Sequence, residues 1–222
     1  PVLKKRNLSA TIFVTTGWLT REPSPFALRR ALFTTAIEEV AMTGMGRFDL
    51  NSPHARLRTI ERVHAHLQRL PLCEREEVTT RLQEKLRTHH SESSPNRLML
   101  TWDEVREMQL NGISVGAHTV NHPMLTTSTE SEARAELTRC KEQIEEQIST
   151  GCDLFAYPYG AYNASLARLT MASGYLAAFT TVPRFAAAGA DPFTIGRLPT
   201  VANMRAFKAS LPGLFPDLLH PA

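Results

Sequence analysis

Short β-prone runs alternate with helices whose caps are written in the sequence, and that alternation most restricts the fold. Ala10-Thr11-Ile12-Phe13-Val14-Thr15 is β-branched and aromatic, and it stops at Gly17, as a buried strand does. Thr101-x-x-Glu104 is a capping box, and its helix ends at Asn111-Gly112. The next run, from Ile113, reads as a strand ending at His118. Thr129-x-x-Glu132 opens a second boxed helix, with Ala133, Leu137, Cys140, Ile144 and Ile148 along one face and Gly151 as its stop. Leu154 to Tyr157, Leu176 to Val182 and Phe193 to Leu198 read as further strands. Asn163 caps a helix that Gly174 ends, and Asn203 caps a last one to about Leu211. No Asn-Gly turn joins two strands. The pattern predicts parallel βα units, and so an α/β sheet or barrel.

From Phe26 to about Arg87 the character changes to Ala-, Leu-, Glu- and Arg-rich segments broken by Gly44, Gly46, Pro53 and Pro71. Three helices are expected, roughly 26–43, 53–69 and 74–88, the last with Val78, Leu82 and Leu86 on one side. Residues 26–98 are then a helical insertion within a single domain, 1–222. Val2-Leu3-Lys4-Lys5-Arg6-Asn7 reads as the last turns of a helix, so upstream sequence is expected and a missing leader carries no weight. The compartment stays open between the cytoplasm and the envelope of a bacterium. No apolar run reaches the ~20 residues that span a bilayer. The net charge of +3 comes from 25 basic and 22 acidic residues that are interspersed, which argues against a nucleic-acid partner. Cys73, Cys140 and Cys152 are too few and too far apart for a disulfide framework and read as buried thiols.

His118 and His122 are the candidate chemistry. They stand four residues apart at the end of a strand, where α/β folds gather functional groups, and two imidazoles so spaced can face one Zn²⁺ or similar ion. The competing reading is a core or capping histidine beside a surface one. The Glu of a His-Glu-x-x-His zinc protease is absent. Phe155-Ala156-Tyr157-Pro158-Tyr159-Gly160, at the end of the next strand, could aim backbone N–H groups into the same mouth, or be an ordinary strand-to-helix turn.

In order, Ala-Thr-Ile-Phe-Val-Thr-Thr-Gly, Leu-Thr-Trp-Asp-Glu-Val, Gly-Ile-Ser-Val-Gly-Ala-His-Thr-Val-Asn-His-Pro and Phe-Ala-Tyr-Pro-Tyr-Gly resemble the polysaccharide deacetylases of the NodB-homology, carbohydrate esterase type. The resemblance runs from Pro1 to about Leu211. It implies an irregular (β/α) barrel, here lacking its first strand. It also implies a divalent metal, usually Zn²⁺, held by two histidines and an aspartate, and an acetylated glycan as substrate. His118 and His122 would be the metal ligands, Thr119 would support their loop, and the backbone N–H of Tyr159 would be the oxyanion donor. Tyr157, Pro158 and Gly160 would line the substrate cleft. In this family the metal polarises the acetamide carbonyl and activates the attacking water, with an aspartate as base.

The chain departs from that pattern in three places. It has no Asp-Asp pair, the family's source of the base and third ligand; the first aspartate is Asp49. Ala156 stands where the family often has Arg, and Arg197 could orient the base instead, or serve as an interstrand salt bridge. Leu218-Leu219-His220 matches the late Leu-x-His box only in letters. Trp18, just past the first strand, could stack on a sugar ring; Trp102 reads as packed at its helix start. His64 and His66 are two apart and so do not share a helix face, and His54, His89 and His90, in or beside the charged insertion, read as solvated. Three functions follow from these residues. The first is a metal-dependent hydrolase of carbon–nitrogen (non-peptide) bonds that removes N-acetyl or O-acetyl groups, weak in this 222-residue chain alone. The second is an inactive glycan-binding relative or truncated product without the Asp-Asp box. The third is an interaction module built on residues 26–90.

Overall fold

The computed structural model describes residues 2–19, 27–86, 99–200, 203 and 207. In chain order the elements are α1 (Val2–Lys5), β1 (Ala10–Val14), α2 (Ala27–Thr34), β2 (Glu39–Met42), β3 (Gly46–Asp49), α3 (Pro53–Leu67) and α4 (Leu72–Lys85). Then come α5 (Trp102–Leu110), β4 (Ile113–Ala117), α6 (Glu130–Ile148), β5 (Leu154–Ala156), α7 (Ala164–Ala172) and β6 (Ala177–Phe179).

The described residues form an α/β fold on a four-stranded sheet, order β1-β4-β5-β6, in which these neighbours pair parallel. β1 and β4 run in full register from Ala10–Ile113 to Val14–Ala117. Local signals account for the starts of α5, α6 and α7. Thr101 and Thr129 each close a reciprocal capping box with Glu104 and Glu132. The Asn163 side chain accepts from the Leu166 N–H at the start of α7. α6 lays Ala133, Leu137, Cys140, Ile144 and Ile148 against the sheet, all buried. Leu137 and Ile144 are wholly buried, and such side chains contribute ~1.5–3 kcal/mol each, so this stripe anchors α6. Cys140 and Cys152 are buried free thiols, as read from the sequence; the side chain of Cys73 lies outside the described residues.

Residues 27–86 form a second cluster around Leu32, Val40, Phe48, Leu50, Val63, Leu82 and Leu86, separate from the core under the sheet. Here the structure corrects the expected helix over 26–43. The helix ends at Thr34, and β2 and β3 form an antiparallel hairpin. Val40, Met42 and Phe48 point inward with the two-residue alternation of a strand. The turn uses Gly44 and Gly46 at φ +78° and +91° instead of an Asn-Gly pair. The insertion is therefore not wholly helical. Two strand expectations shrink as well. The run from Leu176 is a strand only over Ala177–Phe179, and Phe193–Leu198 provides only a parallel bridge from Ile195 to Phe179. The expected last helix falls mostly outside the described residues, as does His220. Among the described residues no helix is long and apolar enough to cross a membrane.

Candidate functional site

Because the sheet is parallel, the segments after β1, β4 and β5 emerge at one edge, and the candidate residues meet there. His118 follows β4, and its N–H donates to Val14 O at 3.0 Å, continuing the ladder with β1. The chain then turns sharply: Thr119 and His122 have φ of +67° and +55°, unusual for residues with a Cβ. Thr119 is fully buried, and its hydroxyl donates to His118 O and accepts the His122 N–H at 2.9 Å. Those contacts fold the loop back so that the two imidazoles converge, with their Nε2 atoms 3.1 Å apart.

The His118 Nδ1 lies 2.7 Å from Ala156 O. A carbonyl only accepts, so Nδ1 carries the proton and the neutral ring presents a bare Nε2 toward His122. Burial lowers the pKa of His118, with the Arg197 charge adding to it and the bond to Ala156 opposing. Burial, then the neighbouring His118 and Arg75, drive the His122 ring down to about 3. Both rings are thus held neutral, the form in which imidazole ligates a metal. Two nitrogens ~2.0–2.1 Å from one tetrahedral zinc stand ~3.3 Å apart, close to the separation here, so the pair fits two positions of such a site. Among the described residues no group of three or more His, Cys, Asp or Glu side chains converges on one point.

Trp18, just past β1, stacks on His122 with ring centroids 5.0 Å apart and 30° between planes. Tyr159, just past β5, meets His122 edge-on at 4.6 Å. Tyr159 itself sits at φ +59°, ψ +4° in the turn Pro158–Gly160. Arg197 donates through Nε to Thr180 O at 2.9 Å, and its guanidinium lies 5.9 Å from the Phe13 ring centre. Trp102 is partly buried against the main core.

One expectation is corrected. The Tyr157 side chain is fully buried, and its hydroxyl donates to Phe193 O, so it holds the core and offers no surface to a glycan. Pro158 and Gly160 are buried too, which leaves Tyr159 as the part of that turn that reaches the site.

Three contributors escaped the sequence reading. The Glu136 carboxylate, on α6, accepts the N–H groups of Val120 and Asn121 at 2.8 and 2.9 Å and the Asn121 side-chain amide at 2.8 Å. Arg75, on α4, donates to the carbonyls of Asn121 and His122. His64, on α3, places its ring 6.1 Å from that of Tyr159. Glu136→Ala leaves two loop N–H groups without their acceptor. It should cost ~1–3 kcal/mol in thermal unfolding, read from the shift of the unfolding midpoint.

The parallel α/β sheet thus carries a two-histidine loop at its carboxyl edge, where folds of this class gather functional residues. A family model described as polysaccharide deacetylase matches residues 1–178, and the chain belongs to that family of hydrolases. The Bacillus subtilis protein YxkH is 26% identical over 105 residues, which cover 47% of this chain and 38% of YxkH. The chain therefore spans well under half the length of that curated relative. A de-N-acetylase from Aggregatibacter actinomycetemcomitans shares the fold at a TM-score of 0.53, with 17% identity over 95% of this chain and 68% of that one. The BpsB deacetylase domain of Bordetella bronchiseptica does so at 0.50, with 13% identity over 89% and 63%.

Proposed function

We propose that the protein is a metal-dependent deacetylase that removes N-acetyl, or secondarily O-acetyl, groups from a polysaccharide or oligosaccharide. The observation that carries this is the convergence of two neutral imidazole Nε2 atoms, 3.1 Å apart, at the carboxyl edge of a polysaccharide deacetylase sheet. His118 and His122 hold a divalent ion, with Zn²⁺ favoured by nitrogen donors; a carboxylate from outside the described residues completes the set and another serves as base. When bound, such an ion supplies Lewis acidity toward the acetyl carbonyl and lowers the pKa of a water to ~7.

The chain's own residues then do the following. Ala156 O fixes the His118 tautomer, Thr119 fixes the turn, and Trp18 offers an aromatic face beside His122 for a sugar ring. The Tyr159 backbone N–H, displayed by its left-handed turn, stabilises the developing oxyanion. Arg197 orients the base. On this reading residues 1–222 are one domain of irregular (β/α) barrel type, with residues 26–98 inserted.

A second reading, an inactive glycan-binding relative, draws on Ala156 and on the lack of a third ligand among the described residues. Acetate release from a panel of N- and O-acetylated oligosaccharides separates the two. The enzyme reading expects release that chelation stops and Zn²⁺ or Co²⁺ restores. Release indifferent to chelation contradicts it, and glycan binding without release establishes the second.

A further inference from the structure

The loop bearing His122 is gripped from two sides, and one grip comes from the insertion. From the sheet side, Glu136 on α6 takes the N–H groups of Val120 and Asn121. From the other side, Arg75 in the first turn of α4 sends Nη2 to Asn121 O at 3.1 Å and Nη1 to His122 O at 3.3 Å. Two successive carbonyls thus share one guanidinium. The planar fork suits that arrangement, and a lysine ammonium, a point donor, does not reproduce it. The grip falls where the backbone needs it. His122 is held at φ +55°, a conformation that relaxes unless its surroundings determine it. α4 is itself anchored, because Leu82 on it and Leu86 just past its end are buried in the insertion's own cluster.

We propose that Arg75 is a positioning residue through which the insertion sets the direction of the His122 imidazole. It acts on the loop carbonyls and touches neither the reacting atoms nor the ion, and its catalytic consequence rests on the deacetylase reading above. An α4 that shifts would carry the second imidazole away from His118, which links the insertion's packing to the site.

The test uses the full chain and compares wild type with Arg75→Met and Arg75→Lys. In the metal-free protein, amide hydrogen exchange at Val120, Asn121 and His122 should speed up about tenfold in Arg75→Met, while α4 and α6 keep their protection. Arg75→Lys, which guards against a folding failure of the Met variant, should fall between. Co²⁺ should bind Arg75→Met about tenfold more weakly, with a changed visible spectrum, in keeping with the ~10–100-fold losses seen when ligand-orienting groups are removed. Unchanged loop exchange would overturn the proposal, as would a KM increase with loop protection and the cobalt spectrum intact, which would make Arg75 a substrate contact. If wild type binds no Co²⁺, the deacetylase reading fails, yet the exchange rates still decide the role of Arg75.

Discussion

His118→Ala should reduce acetate release to about one-hundredth of wild type or less while leaving the fold in place. Losing a group that merely orients a ligand costs ~10–100-fold, so losing the ligand itself should exceed that range. The imidazole does two things an alanine cannot. Its Nδ1–H satisfies Ala156 O at 2.7 Å, and its bare Nε2 faces His122. Only the first concerns stability, and a neutral hydrogen bond contributes ~0.5–1.5 kcal/mol. The expected signature is therefore a large loss of rate with a small shift in the unfolding midpoint. Steady-state release and thermal unfolding on the same preparation check it. Activity retained in His118→Ala would remove this histidine from the chemistry.

Gly160→Ala should be among the most destabilising single-methyl additions in the protein, costing about 3 kcal/mol or more. Gly160 has φ +70°, and an added Cβ would sit 2.1 Å from the Thr181 hydroxyl and 2.4 Å from the Thr181 backbone nitrogen. The left-handed conformation alone costs a non-glycine residue ~1–2 kcal/mol. The clash adds to it because backbone cannot swing aside as a flexible side chain can, and large losses come from such overpacking. Gly44, at φ +78° with nothing within 4 Å of an added Cβ, separates the two contributions. Gly44→Ala should show the conformational cost only. Urea unfolding of both variants checks the comparison. Gly160→Ala should also depress acetate release, since Thr181 holds Tyr159 O and the turn places the Tyr159 ring against His122.

The parts of the fold legible in the sequence are those governed by neighbours along the chain. The capping boxes at Thr101 and Thr129, the Asn163 cap and the apolar stripe of α6 depend on residues within a few positions, and each appears where its spacing places it. The hairpin over residues 39–49 was missed because its strands are short and its turn uses two separate glycines, while the flanking composition favours helix. The site divides in the same way. His118, Thr119 and His122 lie within five consecutive residues, and Trp18 and Tyr159 reach them because parallel strands end at one edge. Glu136 and Arg75 hold the loop from 15 and 46 residues away, and no local pattern marks such contacts. Tyr157, placed in the cleft by the resemblance, belongs to the core because its hydroxyl bonds Phe193 O from 36 residues away, a contact no local pattern marks.

Cobalt titration of the metal-stripped protein, followed by visible absorption, tests most directly whether His118 and His122 are ligands. Saturation at about one ion per chain is predicted, with a spectrum of nitrogen ligation that His122→Ala abolishes. A protein that binds no cobalt, or one whose spectrum survives His122→Ala unchanged, would contradict the metal site.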